Sequence, residues 1–300
     1  MRETMDIYKE ISSNQRRTVA LTILFFALVI FLGLVLGTVW GSSYFGLGLA
    51  AVIGSVYFLF SWYGGSRAIL TMMRAKEAAK PQHTYLINTV EGLAIAAGLP
   101  KTPKVYVIDD SALNAFATGR DPQHAAVTVT TGLLQKLTKL ELEGVIAHEI
   151  SHIKNYDIRV MMLAAVMVGM TVLLSDFILR SLWIGGHGER KEGNQLGLLL
   201  LVVGIALAIL APLIGELIKL AISRKREFLA DASGALLTRY PKGLADALKK
   251  IKGDPDPLVD YANRATAHLF ISSPFRRGAW NSVFSTHPSI DERIKKLEGM

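Results

Sequence analysis

Four blocks of apolar residues stand out along the chain. The first runs from Thr18 to Val39 without a charge, and the second from about Tyr44 to Tyr63. The third runs from Val160 to Leu179, broken only by Asp176, and the fourth from Leu196 to Gly215. Each is about 20 residues, the length a helix needs to cross the hydrocarbon core of a bilayer. They predict four transmembrane helices. The first block is too long for the apolar part of a signal peptide, and Gly41-Ser42-Ser43 is a poor cleavage site.

Between the blocks the pattern changes. Leu86, Val90, Leu93 and Ala97 recur at helical spacing, and Gly98 followed by Pro100 is a stop signal, so Pro81 to Gly98 reads as an amphipathic helix. Lys104–Ile108 reads as a strand. Ala115–Thr118 and Ala126–Thr130 read as a hairpin around Gly119-Arg120-Asp121-Pro122. Thr138 and Glu141 have capping-box spacing, predicting a helix that runs through His148 and His152 and on into the third block. Asp254-Pro255-Asp256-Pro257 marks a boundary before an irregular tail. The chain therefore divides into residues 1–65 with the first two spans, 66–159 as a first polar part, 160–222 with the last two spans, and 223–300 as a second polar part.

Charge orients this arrangement. Arg2, Lys9, Arg16 and Arg17 precede the first span, and Arg67, Arg74, Lys76 and Lys80 follow the second. The turn between them has no Lys or Arg. The positive-inside rule keeps the N-terminus and both polar parts in the cytoplasm. The link from Arg180 to Gln195 is then external, although it carries Arg180, Arg190 and Lys191. Lys219, Arg224, Lys225 and Arg226 return the chain to the inside. The net charge of +8 sits at the ends of apolar blocks, which favours the lipid bilayer over nucleic acid as partner. There is no cysteine, so disulfides, thiol nucleophiles and thiolate ligands are excluded and any metal must be held by His, Asp or Glu.

His148-Glu149-Ile150-Ser151-His152 supplies the chemistry. Two imidazoles four residues apart share one helical face and can reach one metal, with Glu149 beside them to hold an attacking water. Three protein ligands and a water is the catalytic zinc pattern. A third ligand candidate follows the fourth span: Glu227, four residues before Asp231. Read alone, Glu227 is also a partner for Arg224 or Arg226, and Asp231 is also a surface salt bridge. If Glu227 ligates, Asp231 is placed to accept from a ligating histidine. Both ligand segments emerge on the same side of the membrane, which puts the site roughly 12–15 Å above its surface at 1.5 Å per helical residue.

These motifs resemble the HtpX family of heat-shock membrane zinc proteases, relatives of the prenyl-protein endopeptidases. The resemblance spans nearly the whole chain. It rests on the paired N-terminal spans, Asn114–Gly119, His148–His152 with Asn155 and Asp157, Arg226–Asp231, Ala267–Phe270 and Thr286–Arg293. Ser289 stands where a second proline is expected after Pro288. The resemblance implies one Zn²⁺ per chain on His148, His152 and Glu227, Glu149 as general base and acid, Asp231 behind a ligand, and His287 and Arg293 as catalytic donors to the oxyanion. It implies an α-helical membrane protein with an α+β, gluzincin-like cytoplasmic domain in a prokaryotic plasma membrane. The implied role is stress-response quality control, with misfolded membrane proteins or unfolded polypeptides as substrates and other membrane quality-control proteases as partners. Asn114, Ala115, Phe116 and Ala117 are the expected substrate-binding strand, by strand addition.

Overall fold

Helices α1 (Arg2–Val39) and α2 (Ser43–Met72) carry the first two apolar blocks. The computed structural model describes residues 2–39, 41–164, 224–254, 256, 269–271 and 288–300. Apart from residues 160–164, the third and fourth blocks lie outside the described residues, Asp176 with them. Among the described residues, α1 and α2 are the two helices long and apolar enough to cross a membrane. Their outward faces are apolar: Ile23, Phe31, Val52, Val56 and Phe60 are all exposed, as lipid contact requires.

Small residues let these helices meet at close range. A Cβ added at Gly46 would overlap the Gly33 carbonyl and the Gly37 backbone, while at Gly48 it would meet nothing within 4 Å. Ser42 caps α2, its hydroxyl accepting from the Phe45 amide at 3.3 Å. Farther along, Phe25 and Phe26 of α1 pack against Tyr57 and Phe58 of α2.

A four-stranded sheet follows: β1 (Lys76–Glu77), β2 (Lys104–Ile108), β3 (Ala115–Gly119) and β4 (Ala125–Thr130), in the order β1-β2-β4-β3. β2 and β4 are parallel, and β3 runs antiparallel to β4 with Ala115 opposite Val129. The expected hairpin is present. Its strands are buried at every position because both sheet faces are covered. Side chains alternate between faces. Val105, Val107, Ala115, Ala117, Val127 and Val129 join the core under the helices, while Ile108, Phe116 and Ala126 pack with Ile69, Leu70 and Met73 from the end of α2. The membrane hairpin and the polar part thus share a core.

Helix α3 (Lys80–Ala97) ends at Gly98, which takes the left-handed conformation with φ 71°. After the short α4 (Thr131–Lys136) comes α5 (Lys139–Lys154). Its capping box is complete: the Thr138 amide donates to Glu141 at 2.6 Å and the Glu141 amide to the Thr138 hydroxyl at 3.4 Å. Lys250 of α7 (Pro241–Gly253) adds an ion pair to Glu141 at 2.7 Å. α5 does not run straight into the third block. It stops at Lys154, Tyr156 adopts φ 61°, and helix resumes at residue 157. The tail is not irregular throughout either, since α8 (Ile290–Glu298) is capped by Ser289. α6 (Arg224–Thr238) and α7 both pack on α5.

The close approach of α1 and α2 yields a matched test. Gly46→Leu should lower the thermal midpoint in detergent by roughly 5–10 °C through overpacking, and Gly48→Leu should leave it within about 2 °C. Equal effects of the two substitutions would remove the packing argument.

Candidate active site

One turn of α5 sets His148 and His152 edge to face, with ring centroids 4.6 Å apart and Nε2 atoms 3.1 Å apart. α6 crosses α5 and brings Glu227 to the same place. Its Oε1 lies 3.5 Å from His152 Nε2 and its Oε2 3.8 Å from His148 Nε2. The far side of each imidazole is held by a carboxylate. Asp231, one turn beyond Glu227, lies 2.9 Å from His148 Nδ1, and Asp157 lies 2.9 Å from His152 Nδ1. With each Nδ1 directed at a carboxylate, the two Nε2 atoms face a common point, the arrangement that orients metal-ligating histidines.

The donor set fits a metal ion. One ligand atom from each of His148, His152 and Glu227 falls within 4.8 Å of the others. Bonds of about 2.05 Å in a tetrahedron put ligand atoms about 3.3 Å apart, close to the separations found. The charge also fits. Glu149, Asp157, Glu227 and Asp231 are at most 2% exposed, as are Arg226 and Arg293. These four carboxylates and two guanidiniums share the buried volume around the two imidazoles. Among the described residues, the space bounded by His148, Glu149, His152, Met161, Glu227 and residues 269–271 is about 10 Å³, the scale of a single water or ion.

Titration of these groups follows from their surroundings. Burial and the Arg293 charge hold His148 below its ordinary value, favouring the neutral imidazole. Burial works the same way on His152, but the Asp157 hydrogen bond and the charges of Glu227 and Glu149 outweigh it and raise His152 to about 9. Burial pushes Glu149 up to about 7, against the opposing pull of His152. Burial would raise Asp231 too, yet Arg293 and His148 draw it below the usual carboxylate range.

Arg293 is fully buried. Its Nε and Nη2 donate to Asp231 at 2.8 and 2.7 Å, and Nη1 lies 3.4 Å from Glu227 Oε2. The guanidinium therefore grips the carboxylates of α6. His287 lies outside the described residues. Asn114–Ala117 borders the site through β3, the sheet edge. The Ala117 backbone amide favours the ionised form of Glu149. The Asn114 carbonyl accepts from the Thr130 amide within the sheet, while the Ala115 carbonyl faces outward and accepts from the Ile271 amide at 3.0 Å. Phe270 packs on Phe116, their centroids 5.2 Å apart. The outer side of the expected substrate strand is thus already bonded to residue 271.

Reading the sequence named Asp157 in a family motif without a role, gave Arg226 only as a charge at the membrane and an alternative partner for Glu227, and passed over Asn14. Asp157 sits five residues after His152, a spacing that a continuous helix would turn away. The break at Tyr156 folds it back. Arg226 Nη1 lies 3.6 Å from Asp157 Oδ1, and the Asn14 side-chain amide donates to the same oxygen at 2.7 Å.

Comparison with known proteins agrees with this geometry. Residues 80–300 match Peptidase family M48. A protease HtpX homolog from Dictyoglomus turgidum is 46% identical over 298 residues, covering 98% of this chain and 94% of that protein. Protease HtpX homologs from Caldanaerobacter subterraneus and Streptococcus uberis are 44% and 41% identical, each over 98% of this chain and over 98% and 100% of their own lengths. Ste24p from S. mikatae has a similar fold, with a TM-score of 0.52 over 97% of this chain and 67% of that one, at 18% identity. The chain belongs to peptidase family M48 and is a membrane metalloprotease of the HtpX type.

Proposed function

We propose that the protein is a zinc-dependent endopeptidase of the cytoplasmic membrane, with four spans and a cytoplasmic active site, that cleaves misfolded or damaged membrane proteins in stress-response quality control. The observation that carries the metal assignment is the convergence of His148 Nε2, His152 Nε2 and a Glu227 carboxylate oxygen, each histidine backed by its own carboxylate. The charge pattern around the apolar blocks supports the orientation. The shared core of α2 and the sheet supports a site close to the bilayer, within reach of unfolded loops and tails.

In this reading the chain's residues divide the work. Bound zinc supplies Lewis acidity toward the scissile carbonyl and toward water. Glu149 takes a proton from that water and later passes it to the leaving amine. Asp231 and Asp157 orient His148 and His152. Arg293 holds Asp231 and Glu227 in place, with the oxyanion as a further target for its guanidinium and for His287. The extended substrate joins β3 along Asn114–Ala117. Because the Ala115 carbonyl accepts from Ile271, a peptide on that edge must displace residues 269–271.

Two substitutions separate chemistry from metal binding. Glu149→Gln should keep one zinc per chain and lower casein cleavage by about 10²–10⁴-fold or more; full cleavage would exclude Glu149 as base. Glu227→Ala should lower zinc affinity by at least the 10–100-fold seen for lesser, outer-shell changes. Unchanged metal content after dialysis against chelator would point to a different third ligand.

A further inference from the structure

The first membrane helix reaches farther into the site than anchoring requires. The buried face of α1 carries Asn14, Thr18, Leu21, Phe25 and Leu28, a helical stripe. Its apolar part packs on Val160, Leu163 and Ala164. Its cytoplasmic end is polar, and Asn14 is 0% exposed. A buried amide on a spanning helix is costly unless its hydrogen bonds are made. The Asn14 Nδ2 makes two, to the Asn155 carbonyl at 2.8 Å and to Asp157 Oδ1 at 2.7 Å, while its Oδ1 has no partner among the described residues.

These two acceptors flank the backbone break that follows α5. Asn155 closes the helix, Tyr156 turns at φ 61°, and Asp157 opens the next helix. One amide therefore ties both sides of the turn that brings Asp157 back to His152. The other Asp157 oxygen, Oδ2, lies 2.9 Å from His152 Nδ1. Arg226 Nη1 is 3.6 Å from Oδ1, beyond hydrogen-bonding reach for that pair. The Asp157 carboxylate is thus gripped on one oxygen by α1 and on the other by an imidazole that faces Glu227. The family match begins at residue 80, so Asn14 lies outside it.

We propose that Asn14 is a positioning residue of the metal centre, orienting His152 through Asp157 and making the first membrane helix a structural part of the site. This rests on the reading of His152 as a ligand.

Zinc affinity by chelator competition on the full-length protein in detergent tests it, with the cobalt-substituted absorption spectrum as a second readout. Asn14→Ala should weaken zinc binding about tenfold, the lower end of the range for groups behind a metal ligand, and shift the cobalt bands. Asn14→Asp, which sets a carboxylate against Asp157, should weaken it further. In an Asp157→Ala background, Asn14→Ala should have no additional effect. Wild-type affinity in Asn14→Ala, or an equal loss in both backgrounds, would overturn the proposal. Failure of both Asn14 variants to fold without metal would also overturn it, by assigning Asn14 to the fold. Glu227→Ala run alongside keeps the cases apart: if wild type binds no zinc or Glu227→Ala binds it normally, the metal reading itself has failed.

Discussion

A cluster of acidic side chains out of contact with water is the constraint on which this structure depends. Glu149, Asp157, Glu227 and Asp231 are each almost fully buried, and ionised carboxylates in such a place need fixed partners. The helices are arranged to supply them. α5 presents His148 and His152, α8 sends in Arg293, α6 brings Arg226 with its own two acids, and α1 adds the Asn14 amide. They converge around His148, His152 and Glu227, a donor set that could hold a metal ion.

The same constraint explains the linkage between membrane and polar parts. The sheet does not sit on the bilayer as a separate body. Its Ile108, Phe116 and Ala126 pack against Ile69, Leu70 and Met73 at the end of α2, and Phe116 contacts Phe270 in the same cluster. Strand β3 is therefore enclosed by a spanning helix on one face and by α5 on the other.

Much of this was legible in the residues. Lys104–Ile108 is a strand over the expected span, the Ala115 and Ala126 segments pair as a hairpin, Gly98 ends α3, and Thr138 with Glu141 caps α5. His148 and His152 converge with Glu227, and the four-residue spacing that puts the two histidines on one helical face is a property of the sequence. What stayed hidden depends on tertiary geometry. The stop after Lys154 has no glycine or proline to announce it, since Tyr156 is held at positive φ by its surroundings. Without that break the role of Asp157 has no signal. Nor does the two-residue strand β1 carry a periodicity. Asn14 reads as a polar residue ahead of an apolar block, and only its burial and its acceptors distinguish it. The capture of the Ala115 carbonyl by Ile271 joins residues too distant in the chain for any local pattern to link.

The central claim concerns what surrounds one ion. X-ray absorption at the zinc edge, on the full-length protein purified in detergent and loaded with a single equivalent of Zn²⁺, measures that directly. The account predicts a first shell of nitrogen and oxygen only at about 2.0–2.2 Å, with the outer scattering of two imidazoles. A shell lacking imidazole scattering, or containing one histidine alone, would contradict it.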